Sequence, residues 1–327
     1  MRALLHSLAL DFTSSDQSLL DGWKALFDLE QFPVPESETG ARDIGVRAAI
    51  CQQPPAAPAH AASHILAASG DSGRRVQFHE TPDGGVLTLA RPAQIAFNFT
   101  TGCAELTLTR EMVTSGNLED LTLITIAPFL RRKGIYAVHA FAAASNSGAA
   151  LFCGPSGSGK TSAGLAVVLG GWRFLANDAA LLRETPSGIE ALLSPGTINL
   201  NRDTLHILPA LKERGTRALD IPPGGKALVP RGSLLQPREL GRAVPLTALY
   251  FPQIGDVREP QLRPIARAIC LARLISDGVD QWDRDTFDGH VNFLTRLSEQ
   301  TACFELWLPR VTPGALDDLG SMLRSLP

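Results

Sequence analysis

Residues 154–161 read Gly-Pro-Ser-Gly-Ser-Gly-Lys-Thr, and this G-x-x-x-x-G-K-[ST] run constrains the fold more than any other stretch of the chain. Gly154, Gly157 and Gly159 let the backbone curl so that successive N–H groups face one anion. A following helix would aim its positive N-terminal end at the same point. Lys160 is placed to reach phosphate oxygens as a point charge and the Thr161 hydroxyl to sit on a divalent cation, with Pro155, Ser156 and Ser158 completing the candidate binding loop. Such a loop has to lie between a strand and a helix.

The flanks meet that requirement. Gly148 to Cys153 is a short apolar run fit for a buried strand. Thr161 to Leu169 is apolar enough for a packed helix, and Gly170-Gly171 stops it.

At 327 residues the chain allows two domains or one elaborated α/β domain. A formal net charge of −3 with no basic stripe disfavours a nucleic-acid partner. Met1 to Leu10 is too short and too soon interrupted for a secretion signal, and no apolar run approaches membrane-spanning length, so a soluble, cytoplasmic protein without a membrane partner is expected. The five cysteines (Cys51, Cys103, Cys153, Cys270, Cys303) include no C-x-x-C pair and read as reduced core residues. Cys153, which abuts the loop, reads as a small buried strand-end residue rather than a redox sensor.

Along the chain, Met1 to Thr13 and Val86 to Thr109 carry strand-like alternation, and Ser18 to Leu29 has helical spacing. Gln52 to His60 and Ser69 to Arg74 are Pro-, Ala- and Gly-rich and predict loops or a linker. Leu118 to Arg131 predicts a helix entering a second domain. The expected division is an N-terminal α+β domain over 1–115 and a phosphate-loop domain over 116–327. Tyr136 to Ala144 then reads as a strand, Ser145 to Gly148 as a hairpin turn, and Trp172 to Ala176 as a strand ending in Asn177-Asp178. Ala179 to Leu182 and Gly188 to Leu193 predict two strands around a Pro-Ser-Gly turn. Phe287 to Leu297 predicts a helix, Cys303 to Leu308 a strand, and Pro313 to Leu326 a helix capped by Thr312.

Asp178 follows Lys160 by one predicted helix and one predicted strand, and it sits at the end of that strand, where an α/β sheet presents its chemistry. A carboxylate there suits proton acceptance from a hydroxyl or coordination of Mg²⁺, and a turn cap is the ordinary alternative. His139 precedes the loop by one hairpin, in mid-strand, and by itself reads as a core histidine. Counting along the hairpin places its ring toward the start of the loop's strand.

The run from Val138-His139 through the loop to Phe174-Leu175-Ala176-Asn177-Asp178 resembles the kinase domain of the HPr kinase/phosphorylase family. That family has a histidine in a Val-His-Gly-type strand, as far ahead of the loop lysine as His139 is of Lys160. It also has a strand ending in an Asp-Asp pair, whose second member follows the lysine at the spacing of Asp178. The resemblance covers residues 118–200. It implies a phosphate-loop kinase domain with a mixed sheet of the HPr kinase type, using ATP and Mg²⁺, with Asp178 as proton acceptor, His139 in the active site, and Thr161 and Asp178 on the metal. It also implies a protein or peptide acceptor, and allows a homo-oligomer.

The chain departs from the family pattern at three points. Asn177 stands for the first Asp of the pair. The Leu-Glu-Ile-Arg-Gly signature with its metal-binding Glu is absent, and Ile198 to Asp203 occupies that region, offering Asn199 or Asp203 in its place. The Pro-Gly-Arg-Asn-type motif tied to dephosphorylation is also missing, so the resemblance implies the kinase half only. It is to a less-characterised branch of the family, some members of which modify peptides.

Lys226 on a Gly-rich turn, and Arg263, Arg267 and Arg273 with an i, i+4 helical pair among them, are further basic candidates. A solvated loop lysine and a solvated helix face are their plainer readings. Three functions follow: a kinase acting on a hydroxyl, a Ser of a protein or peptide; a regulator that binds ATP without transferring phosphate; and a small-molecule phosphotransferase with a phosphoenolpyruvate carboxykinase-like core. No Leu-Ser-Gly-Gly-Gln signature supports a transporter-type ATPase.

Overall fold

The computed structural model describes residues 1–29, 42–53, 63–67, 75–89, 93–214, 216, 219–278, 282–310 and 312–324. The expected linker over 52–60 lies outside these apart from Gln52 and Gln53, as does 69–74. The chain forms two compact units, Met1–Lys133 with Asp280–Asp288, and Gly134–Val279 with Gly289–Pro327. The division at Lys133 leaves the helix beginning at Leu118 in the first unit, where the sequence placed the boundary near residue 115.

The first unit opens with β1 (Arg2–Leu5), β2 (Leu8–Thr13) and α1 (Gln17–Leu26). β3 (Ile44–Cys51), β4 (Ser63–Ala67), β5 (Arg75–Thr81), β6 (Gly84–Leu89), β7 (Ala93–Asn98) and β8 (Cys103–Thr109) follow, then α2 (Arg110–Thr114) and α3 (Leu118–Arg132). Its eight strands run in the order β1-β2-β3-β8-β7-β6-β5-β4. β3 is parallel to both its neighbours and the other pairs are antiparallel. Asp16 caps α1 by accepting from Ser18 N at 3.0 Å, the usual use of Asp before a helix.

The second unit contains β9 (Ile135–Ala144), β10 (Ala149–Cys153), α4 (Lys160–Leu169), β11 (Arg173–Ala176), β12 (Ala179–Thr185), β13 (Gly188–Leu192) and β14 (Thr197–Leu200). It continues through α5 (Arg202–Ile207), β15 (Ala227–Pro230), α6 (Arg231–Leu234), β16 (Val244–Ile254), β17 (Gln261–Pro264) and α7 (Arg267–Gly278). α8 (Arg284–Gln300), whose first turn belongs to the first unit, β18 (Ala302–Leu308) and α9 (Leu319–Arg324) complete it.

Its main sheet runs β10-β9-β12-β13-β16-β18-β17, and β16 also pairs with β10. β10 is antiparallel to β9 and parallel to β16, so the sheet is mixed and the chain is a mixed α/β protein. α4 packs on one sheet face, its Leu165, Val167 and Val168 sharing one buried core with Phe141, Phe152 and Tyr250 of the strands. The approach is close because Gly164 has no side chain: a Cβ there would lie 2.1 Å from the Phe141 ring. Gly170 ends the helix, as expected.

The closing helix is shorter than Pro313 to Leu326. Gly314 takes a φ of +75° and its N–H bonds back to Ile207 O, so residues 313–318 form turns, and the helix starts only at Leu319. Arg263 and Arg267 do not share a helix either. Arg263 sits on β17 with its guanidinium 4.9 Å from the Trp307 ring, and Arg267 opens α7. Lys226 is exposed just before β15, in keeping with a solvated loop lysine. Among the described residues no helix is long and apolar enough to cross a membrane.

Candidate functional site

The loop stands where strand meets helix. β10 ends at Cys153, residues 154–159 form the turn, and α4 begins at Lys160. Gly154, Gly157 and Gly159 take φ values of +133°, +82° and +103°, backbone that L side chains rarely adopt. At Gly157 a Cβ would meet nothing within 4 Å, so it is the backbone conformation and not crowding that favours glycine there. Lys160 is buried at 6 % exposure, and its ammonium folds back to donate to Gly154 O and, at 3.0 Å, to Pro155 O.

Strand register brings His139 and Asp178 to this turn. Ala140 of β9 pairs with Cys153 of β10, and on the other side of β9 the Ala140 N–H donates to Asp178 O at 3.1 Å. β11 and β12 both run along β9, Ala176 opposite Ala142 and Ala179 opposite His139, so Asn177-Asp178 is the join between two strands on one line. Cys153, Ala140 and Asp178 therefore sit in one row across three strands, about 10 Å wide at the usual ~4.8 Å spacing. His139 is one step further along, level with the start of the loop.

This corrects the count that put the His139 ring toward the start of the loop's strand. The hairpin closes with Ala144 opposite Ala149, so residues farther from the turn on β9 lie level with later residues of β10, Ala140 with Cys153 and His139 with the position after it. His139 is also exposed, which removes the reading of a core histidine. Its Nδ1 lies 3.1 Å from Asp178 O. A carbonyl only accepts, so this contact fits the tautomer with its proton on Nδ1.

Asp178 is half-buried, and its Oδ2 accepts a hydrogen bond from the Asn199 amide on β14. Of the two residues offered for the missing Glu, Asn199 is thus brought to Asp178. Asp203 lies exposed in the first turn of α5, behind an Asn201 cap that accepts from Thr204 N at 2.7 Å. Ser162 beside Thr161 ties α4 to α5 through a 3.0 Å contact between its hydroxyl and that of Thr204.

Several polar atoms here are buried with no protein partner: both amide atoms of Asn177, Oδ1 of Asn199 and Oγ of Ser158. Asn177 is only 4 % exposed. An unpaired buried polar group costs about 1–3 kcal/mol, a cost that a polar ligand relieves. The oxygens among them, with Thr161 and Asp178, are hard donors of the kind Mg²⁺ takes. Among the described residues no three His, Cys, Asp or Glu side chains cluster as a metal site.

No family model and no curated protein matches the chain. Among solved structures, the Hpr(Ser) kinase/phosphatase from Coxiella burnetii aligns at 12 % identity over 58 % of this chain and 92 % of that one, with a TM-score of 0.29. That likeness is too low to carry an argument about fold or function.

The sequence offered Asn199 in place of the metal-binding Glu but not its hydrogen bond to Asp178, because the residue reaches Asp178 only through the separate β14–β15 ribbon. Nor did it show that Asn177-Asp178 joins two collinear strands; the matching offset of Ala176 and Ala179 against β9 is visible only in the register.

Proposed function

We propose that this chain is an ATP-dependent kinase that phosphorylates a hydroxyl, a Ser of a protein or peptide. The observation that carries the reading is the row that puts Asp178 and His139 level with the opening of the glycine loop. Gly154, Pro155, Ser156, Gly157, Ser158 and Gly159 would hold the phosphates through their inward N–H groups, and α4 adds its positive end. Lys160 would leave the Gly154 and Pro155 carbonyls for the phosphate oxygens, a short swing that trades neutral acceptors for charged ones. Thr161 and Asp178 would hold Mg²⁺, which when bound neutralises charge developing on the transferred group.

Asp178 accepts the proton of the attacking hydroxyl in this reading. The Asn199 amide fixes Oδ2 of that carboxylate, which leaves Oδ1 to take the proton. His139, held by the carbonyl of the same residue, stands ready to steady the acceptor or relay the proton through Nε2.

One observation favours a second reading, an ATP-binding regulator without transfer. Asp178 is flanked by two amides, Asn177 and Asn199, so the loop faces one carboxylate where metal-assisted transfer commonly uses more. Incubation with radiolabelled ATP, Mg²⁺ and the proteins encoded by neighbouring genes, followed by mass spectrometry, separates the two. Label on a Ser of an acceptor supports the kinase, and bound ATP with no labelled product supports the regulator.

A further inference from the structure

Cys270 on α7 and Cys303 on β18 are 33 positions apart in the chain, and their Sγ atoms lie 2.8 Å apart. A disulfide bond is about 2.05 Å long, so less than an ångström separates contact from bonding. Both thiols are buried, Cys270 fully and Cys303 at 7 % exposure.

The fold explains the encounter. On β16 and β18 the residues facing α4 include Tyr250, Phe304 and Leu306. Alternation turns Phe251, Cys303 and Glu305 to the opposite face. α7 covers that face: Arg273 donates to Glu305, and its guanidinium lies 5.2 Å from the Phe251 ring centre. The chain entering α7 is fixed as well, because Ile265 N–H donates to Cys303 O at 3.0 Å. Two anchors thus set the helix so that Cys270, one turn before Arg273, meets Cys303.

We propose that Cys270 and Cys303 form a reversible dithiol–disulfide pair, a redox modification site at the seam of α7 and β18. The oxidant is hydrogen peroxide. The Cys303 sulfur, on the less deeply buried residue of the two, attacks one peroxide oxygen, the O–O bond breaks, and Cys303 becomes a sulfenic acid as one water leaves. The Cys270 sulfur then attacks Cys303 Sγ, the S–O bond breaks, and a second water leaves with the Cys270 proton. Two thiols are oxidised to one disulfide and one peroxide is reduced to two waters. The polarity of the pair suits this order: the hydrogen bond with Cys270 holds the Cys303 thiol below its ordinary value despite burial, with Arg267 acting in the same sense, and the same contact pushes Cys270 up. This pairing does not depend on the kinase reading.

The test is peroxide treatment of the folded full chain, alkylation of remaining thiols, digestion without reductant and mass spectrometry. The expected result is a Cys270 peptide joined to a Cys303 peptide, two of the five thiols lost and both regained with dithiothreitol, while Cys51, Cys103 and Cys153 stay alkylated. In Cys270→Ser the link should vanish and dimedone should capture Cys303. The proposal is overturned if both thiols stay alkylated after peroxide, if either links to Cys153 instead, or if the link forms only in urea. The wild-type map decides alone should the variant not fold.

Discussion

The Nδ1 atom of His139 lies 3.1 Å from the backbone carbonyl oxygen of Asp178. The two residues are 39 apart in the chain and meet because β9 carries β10 on one edge and the β11–β12 line on the other. That meeting puts both residues in strand positions level with the start of the glycine loop, and the loop's own lysine gives the first prediction.

Lys160→Ala should abolish phosphate transfer and weaken ATP binding by tenfold or more, since one charge-assisted contact is worth about 1.5–3 kcal/mol. Folding should change little, because the hydrogen bonds from the side chain to the Gly154 and Pro155 carbonyls stay within its own loop. Calorimetric titration with ATP and a urea melt check the two halves, and undiminished transfer in this variant contradicts the enzyme reading.

Gly164→Ala should destabilise the second unit although Ala is the better helix former by about 1 kcal/mol. The new methyl would lie 2.1–2.4 Å from three atoms of the Phe141 ring. That ring is fully buried and set edge-on against Phe174 at 5.5 Å, so it has no room to give way. Overpacking costs ~1–3 kcal/mol, and with a rigid neighbour the upper end applies, for a net loss of about 2 kcal/mol. A urea midpoint above wild type contradicts this.

Asp283→Asn should cost the first unit about 3–5 kcal/mol. Asp283 is 2 % exposed and takes hydrogen bonds at 2.9 Å from both Arg131 and Arg132. Burial pushes its carboxyl up, but the bonds from Arg132 and Arg131 outweigh burial and hold it below the ordinary value. The variant strips the 3 %-exposed Arg131 of its carboxylate. Thermal denaturation at neutral pH reads the loss, and a melting temperature equal to wild type contradicts it.

The pH dependence of the first unit should carry a contribution from Asp16. The Arg110 and Ser18 hydrogen bonds lower its carboxyl from 3.8 to about 2. A depressed folded value means the stabilisation is complete above pH 3.8, the unfolded value, and is lost as pH falls toward about 2. Asp16→Asn keeps a capping oxygen and loses the charge, so its stability should fall less steeply across that window. Circular dichroism melts at steps between the two values measure the slope, and parallel curves contradict the assignment.

Much of the site was legible in the sequence because its signals are local. The glycine loop needs only its own eight residues, its strand and its helix, and all fell where expected. The hairpin from β9 to β10 was marked by Ser145-Asn146-Ser147-Gly148, and it forces antiparallel pairing. Long-range register was not legible. Asn199 and the Cys270–Cys303 contact depend on how separate ribbons and helices settle on the sheet, which no local spacing encodes. The shortened last helix failed for a related reason: the pattern over Pro313 to Leu326 is helical, yet Gly314 is held by Ile207 from far away in the chain.

Asp178→Asn separates proton acceptance from nucleotide binding, because it keeps the size and one coordinating oxygen of the side chain but cannot accept a proton at neutral pH. Affinity for ATP with Mg²⁺ and phosphate transfer to a Ser acceptor are to be measured on the same preparation. The account predicts ATP affinity within about tenfold of wild type, a change under ~1.4 kcal/mol, and transfer reduced by ~10²–10⁴-fold. Transfer at the wild-type rate, or ATP binding that collapses along with it, contradicts Asp178 as the proton acceptor.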